Sequence, residues 1–401
     1  MAIHWTELGI DLTSPTVPEP VSAEELAIRW KGVYAGMERR GLEALLVFGN
    51  ESEFSNVRYL TEYWPLFESG AALFAAGADP ILLCGPESKT YAELKGRTGR
   101  VELIESLRES ADPSYPEVEL GDYASALGSL GVTSPTRIGI AGSFAANLVI
   151  LEELREAFPD AELVRADDIV SELRTFKSPW EMENLRAAFS ISEIALASVL
   201  ERLKPGMTEL QVVGIAQAAM YANGAEYEGM PQYVLAGSNS RAAIARPSGR
   251  VIRAGEIVQL NISARVNGYS SGVGRPIVLG RASDEQRSLI EFCREAHYAT
   301  REWVRAGVPA AEVATKYREF FDERDRSDAF LYGPCTGLGL METERPWIES
   351  DSDYTIAPNM AFQFDTFAQG PVEGVRWENG GIVHADRVEM LSDSLMDVYE
   401  Y

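Results

Sequence analysis

The sequence predicts an α/β chain in two parts, an N-terminal α/β domain over residues 1–165 and an α+β domain over residues 166–401. The first 160 or so residues alternate short apolar runs with amphipathic stretches, as strands interleaved with helices do. Two long helical stretches follow from Pro179 onward. Two later segments, GEIVQLNISARVNGYSSG and NMAFQFDTFAQGPVEGVRWENGG, are loose copies of each other, each a strand, a turn and a second strand. A duplicated half-domain of this kind makes a pseudo-twofold saddle with a central pocket.

In chain order, a helix over about 22–40 starts at a capping Ser22 with Glu25 three residues on, and stops at Gly41. Strands follow at ALLVFG, AALFAA, DPILLCG, RVELIE and RIGIAG, with helices near 119–130 and 144–157. The helix from Pro179 runs to about Lys204 and ends at Pro205-Gly206, and Thr208 caps the next one. Beyond Tyr233, strand pairs alternate with helices over 283–306 and 309–325.

The 61 acidic residues outnumber the 36 basic ones, and a net charge of -25 argues against nucleic acid or an anionic membrane as partner. Cys84, Cys293 and Cys335 lie far apart with no CxxC spacing, so neither a disulfide framework nor a structural zinc is expected. The start, MAIHWTELGIDLTSP, has no basic n-region or apolar h-region, and no apolar run approaches the roughly 18 residues of a membrane span. These features predict a cytoplasmic protein.

The stretch from Leu173 to Val213, with Lys177-Ser178, Glu181, Lys204-Pro205-Gly206 and Thr208-Glu209, resembles the entry to the pita-bread domain of the creatinase, prolidase and methionine aminopeptidase family. Gly237-Ser238-Asn239, Gly268-Tyr269, Arg275, Gly337-Leu338, Glu342, Pro346, Asn359-Met360 and Arg376 with Glu378 continue the match in order. The resemblance covers residues 170–392, and the N-terminal domain resembles that of creatinase and prolidase more loosely. It implies a fold, and fold alone does not set function.

Carried over position by position, the family's five metal-ligand places fall on Asn261, Gly272, Pro334, Asp365 and Glu378. A neutral amide is a poor ligand for a hard divalent ion, glycine has no side chain, and only the last two residues are suited to a metal. No metal and no other cofactor is therefore expected. The family's two histidine positions fall on Ile244 and Met341. Of the histidines present, His4 lies in the N-terminal tail, His297 inside an amphipathic helix and His384 after the last strand, so a structural role is expected for each.

Within this family creatinase works without metal, and the chain shares several of its departures. Asn261 stands where creatinase also has asparagine, Arg345 where it holds an arginine against the substrate carboxylate, and Phe67 where an aromatic reaches the neighbouring subunit's pocket. The last implies a homodimer. The creatinase catalytic histidine is Ile244 here, its pocket glutamate is Gly274 and its late histidine is Glu378, which argues against creatine as substrate.

The remaining chemistry rests on carboxylates. Asp365 and Glu378 should face one another across adjacent strands, with Glu342 entering from the GLGLMETERP turn. Carboxylates buried together repel, so one holds a proton at neutral pH and serves as general acid while its partner serves as base; pairing with Arg376 is the structural alternative. Asn261, Tyr269, Ser270, Cys335 and Arg246 complete the expected small-molecule pocket, Cys335 more as an inert thiol than as a nucleophile. The function expected is metal-independent hydrolysis of a C–N bond in a small polar substrate bearing a carboxylate. A lyase or isomerase on the same scaffold, and a catalytically silent protein that binds a small molecule or peptide, stand as alternatives.

Overall fold

The computed structural model describes residues 17–109, 118–397 and 400–401. His4 and the opening segment lie outside these residues. Two compact units form, one over Pro20–Arg174 and one over Thr175–Tyr401 with residues 17–19. The chain passes between them at Arg174 rather than at residue 165, because one further helix packs onto the first unit.

The first unit runs α1 (Ala23–Arg40), β1 (Ala44–Gly49), α2 (Ser55–Thr61), β2 (Gly70–Ala75), β3 (Ile81–Cys84), α3 (Lys89–Lys95), β4 (Val101–Leu103), α4 (Tyr123–Ser129), β5 (Arg137–Ala141), α5 (Leu148–Ala157), β6 (Glu162–Arg165) and α6 (Asp167–Thr175). Its sheet has the order β4-β3-β2-β1-β5-β6, with β1 antiparallel to β2 and parallel to β5. The side chains of β1, β2 and β3 are buried throughout, as their unbroken apolar runs require. Ser22 caps α1 by accepting from the Glu25 amide at 3.1 Å, and the helix stops at Gly41 with φ 61°. Ile169 and Leu173 of α6 lie against Gly36 and Gly32 of α1, so close that a Cβ at Gly32 would stand 2.4 Å from Leu173. That close approach fixes α6 in this unit.

The second unit runs α7 (Pro179–Leu200), α8 (Glu209–Ala222), β7 (Tyr227–Glu228), β8 (Tyr233–Ala236), β9 (Ile257–Ile262), β10 (Ala264–Val266), β11 (Tyr269–Ser270), β12 (Val273–Val278), α9 (Asp284–Trp303), α10 (Ala310–Asp322), β13 (Cys335–Gly337), β14 (Glu344–Ile348), β15 (Ala361–Gln369), β16 (Gly374–Val383) and β17 (Val388–Met390). Ser178 and Glu181 close a capping box on α7 with Pro179 just inside it, and Thr208 and Gln211 close another on α8. The main sheet has the order β14-β13-β15-β16-β12-β9-β8, with β17 on β16. The two copies read in the sequence are the antiparallel pairs β9/β12 and β15/β16.

The copies join at one paired position, Gly274 opposite Glu378. Continuing that register brings Pro276 to Arg376, where proline has no N–H to offer. Gln259, opposite Pro276 on β9, bridges the gap instead. Its Oε1 accepts from the Arg376 amide at 2.7 Å and its Nε2 donates to the Arg376 carbonyl at 3.1 Å. Arg275, fully buried, locks the same joint by donating from Nη1 to the carbonyls of Gly274 and Glu378 at 2.7 and 3.0 Å. Among the described residues, no helix is long and apolar enough to cross a membrane.

Candidate active site

Side chains alternate along a strand, so Asp365 on β15, Arg376 and Glu378 on β16, and Gln259 and Asn261 on β9 share one face of the sheet. Asp365 stands directly opposite Glu378, and Arg376 lies diagonal to Asp365. The Arg376 Nε is 3.1 Å from Asp365 Oδ1, an ion pair that lacks the alignment of a hydrogen bond. The second guanidinium nitrogen, Nη2, donates to the Ala243 carbonyl at 2.8 Å and to the Tyr332 hydroxyl. Asn261 Nδ2 donates to Glu378, and its Oδ1 accepts from Gln259 at 2.9 Å. The expected facing of Asp365 and Glu378 is thus present, and so is the competing contact with Arg376.

Glu342, half-buried, approaches Glu378 from the turn before β14 and accepts from Thr343 Oγ1 at 2.9 Å. Two carboxyls buried side by side repel when both are charged, which favours a proton on one of them. Burial, then the Glu342 charge, pushes the Glu378 carboxyl up to about 8, and burial pushes Asp365 up to about 7 even with Arg376 beside it. Glu342 is raised for the same reason, burial. The turn itself is pinned by a buried pair, Lys177 Nζ to Glu344 Oε1 at 3.2 Å, while Glu344 Oε2 accepts from the Met341 amide at 3.3 Å.

The side chains present do not fit a divalent ion. Asn261 points its amide nitrogen, a donor, at Glu378. At Gly272 a Cβ would lie 2.6 Å from Gln363 Nε2, so the space for a carboxylate there is filled. The guanidinium of Arg376 already supplies positive charge to Asp365. Among the described residues, no group of three or more His, Cys, Asp or Glu side chains has the arrangement of a metal site.

Several expected pocket residues are elsewhere. Tyr269 is buried with its hydroxyl donating to Glu181 at 2.8 Å, and Ser270 donates to the Leu340 carbonyl at 2.7 Å, so both are spent on holding β11. Cys335 lies in an apolar cluster with Ile348, Phe362 and Phe364, where burial raises its thiol well above the usual range and keeps it un-ionised. On β14, Glu344 and Ile348 pair with Gly337 and Cys335 and share the face of Phe362 and Phe364, so Arg345 and Trp347 turn to the face that carries Asp365 and Glu378, with Arg345 exposed and 5.6 Å from the Trp347 ring. Arg246 is exposed in the loop after Ile244, itself 85% exposed. Phe67 is 73% exposed between α2 and β2 at φ 61°. His297 is fully buried against Thr366 and held neutral by burial, and His384 contacts Glu389 at 2.8 Å.

Tyr332, Tyr233, Gln259 and Gln363 were not expected here. Tyr332 accepts from Arg376, stacks on Phe367 with ring centroids 6.0 Å apart, and both tyrosine rings flank the Arg376 guanidinium. The two-residue period placed Gln259 beside Asn261 and Gln363 beside Asp365, a signal present in the strand pattern. Tyr332 sits in a loop and carries no such signal.

Residues 183–385 match the model of metallopeptidase family M24, and residues 29–176 match the creatinase/prolidase N-terminal domain. The Xaa-Pro dipeptidase of Pyrococcus furiosus is 26% identical over 256 residues, covering 64% of this chain and 73% of that protein. The Xaa-Pro dipeptidase of Pyrococcus horikoshii is 24% identical over 353 residues, 87% of this chain and 92% of that one. In fold, the chain superposes on the prolidase of Thermococcus sibiricus with a TM-score of 0.82 at 21% identity, covering 95% of this chain and 100% of that one. The chain belongs to metallopeptidase family M24 and carries the pita-bread domain of that hydrolase family behind a creatinase/prolidase N-terminal domain.

Proposed function

We propose that the chain hydrolyses the amide C–N bond of a small, carboxylate-bearing molecule of the dipeptide class without a divalent cation, using Glu342 and Glu378 as an acid/base pair. The approach of these two carboxyls, on a face shared with Asp365, carries this reading. The pair titrates as a unit and holds one proton near neutral pH. Its ionised member takes a proton from water as the water oxygen bonds to the carbonyl carbon. Its protonated member gives a proton to the nitrogen as the C–N bond breaks, so substrate and water leave as an acid and an amine.

Relatives named Xaa-Pro dipeptidase make dipeptides ending in proline the first substrates to offer. A homodimer in which the partner subunit's Phe67 reaches this site belongs to the same reading, and light scattering on the eluting peak measures it. A second reading, a catalytically silent protein that binds such a molecule, is favoured by one observation: Asp365 already faces Arg376 and Glu378 already bonds Asn261. Release of proline from a panel of Xaa-Pro dipeptides in excess chelator separates the two. Turnover that vanishes in Glu378→Gln supports the enzyme, and turnover that requires added metal, or is absent, rejects the mechanism.

A further inference from the structure

The guanidinium of Arg376 lies on the face that carries Asp365 and Glu378 and is only partly engaged. The Arg376 Nε faces Asp365 at 3.1 Å, and Nη2 is used on the Ala243 carbonyl and the Tyr332 hydroxyl. The remaining nitrogen, Nη1, has no hydrogen-bond partner among the described residues. Asp365 is also the one carboxylate within ion-pair distance of this guanidinium among those residues. The rings of Tyr233, Tyr332 and Phe367 lie 5.6, 5.7 and 5.6 Å from its central carbon, and such walls exclude water and strengthen whatever charge contact the guanidinium makes.

We infer that Arg376 is the substrate-anchoring cation of this site: its Nη1 edge binds the carboxylate end of the substrate, the role the sequence resemblance had placed on Arg345. Two features of Arg376 suit the task. Its backbone is held on both sides by the Gln259 amide, at 2.7 and 3.1 Å, so the side chain springs from a fixed point on the sheet. It also stands two residues from Glu378 on the same face of β16, so a molecule held there by its carboxylate has its neighbouring bonds beside the Glu342/Glu378 pair. Arg345 turns to the same face but lies exposed on the edge strand β14, three strands from β16. The inference rests on the proposed reading that the substrate carries a carboxylate.

The test is binding rather than turnover, so that its failure is distinguishable from failure of the hydrolytic reading. Full-length protein is titrated calorimetrically with N-acetylglycine and with N-acetylglycinamide, the same molecule without its carboxylate. The expected result is that the wild type binds the acid and not the amide, that Arg345→Gln binds the acid as the wild type does, and that Arg376→Gln weakens it by about tenfold or more, the loss of one charge-assisted hydrogen bond. Arg376→Gln strands a buried Asp365 and can fail to fold, so the double variant Arg376→Gln/Asp365→Asn, which leaves no unpaired charge, is measured beside it. Equal binding of acid and amide, no binding by the wild type, or unchanged acid binding in a folded variant lacking Arg376 would each overturn the assignment. Loss of turnover with acid binding intact would instead sink the hydrolytic reading and leave Arg376 as a ligand anchor.

Discussion

The Gln363 side chain donates its amide to the Gly272 carbonyl at 2.7 Å, across from the strand that precedes the joint between the two halves of the sheet. The same nitrogen lies 2.6 Å from where a Cβ on Gly272 would be. Glutamine has thus moved into the space that a family member's carboxylate would use.

Restoring that carboxylate alone should fail. Gly272→Asp drives a side chain into Gln363 and is expected to cost about 1–3 kcal/mol, as overpacking does. Thermal unfolding reads the loss, and Gly272→Asp/Gln363→Gly should recover most of it. A single variant as stable as the wild type would show that Gln363 yields freely.

Purified protein is expected to contain no stoichiometric transition metal, and added Mn²⁺ should leave its melting temperature unchanged, because an ion that binds only the folded state raises it. Elemental analysis showing about one ion per chain would contradict the reading of Asn261, Gly272 and Arg376 as a closed site.

Stability should depend on pH through the carboxyls. Glu378 rises from an ordinary 4.5 to about 8 and Asp365 from 3.8 to about 7 on folding, so the folded protein holds protons that the unfolded chain releases. Their contribution is complete below the lower values and is lost as pH climbs through the higher ones. The melting temperature should therefore fall across that window, and Glu378→Gln should flatten the fall. An equally steep slope in Glu378→Gln would remove Glu378 from the account.

Lys177 and Glu344 form a buried pair that holds the turn carrying Glu342. Lys177→Met leaves the carboxylate buried without its partner, at a cost of about 3–5 kcal/mol. The double variant Lys177→Met/Glu344→Leu should be far less destabilised. Denaturant unfolding distinguishes the two, and equal losses would mean that the cost comes from packing rather than charge.

Cys84, Cys293 and Cys335 are all buried, and burial raises each thiol, Cys84 to about 12. Native protein should therefore react with a thiol-specific chromogen only at the rate at which it unfolds. Rapid labelling of Cys335 in folded protein would reopen it as a pocket residue.

Much of this was legible in one dimension. Ser22 with Gly41, Ser178 with Pro179, and Thr208 mark helix ends through contacts only a few residues long, and the helices begin or end there. The helices α2 and α3, each of 7 residues, were not: neither has a side-chain cap to mark its start, whereas α4, equally short and read in the sequence, is capped by Asp122. Asp365 opposite Glu378 followed from strand alternation and a short turn. The placing of Arg345 did not: its strand lies at the sheet edge, and only the register of β14 on β13 and of β13 on β15 turns Arg345 to the face of Asp365.

By itself the sequence determined which chemistry is missing, since a position holding asparagine, glycine or proline cannot supply a ligand carboxylate or imidazole whatever its surroundings. It also determined the two α/β parts and the duplicated strand pairs, because side-chain periodicity is local. Only the tertiary structure decided what replaced the missing groups. Gln363 filling the Gly272 space, Gln259 bridging Pro276, and Arg376 meeting Asp365 and Tyr332 join residues from different strands and loops, and such contacts are set by strand register and packing rather than by spacing along the chain.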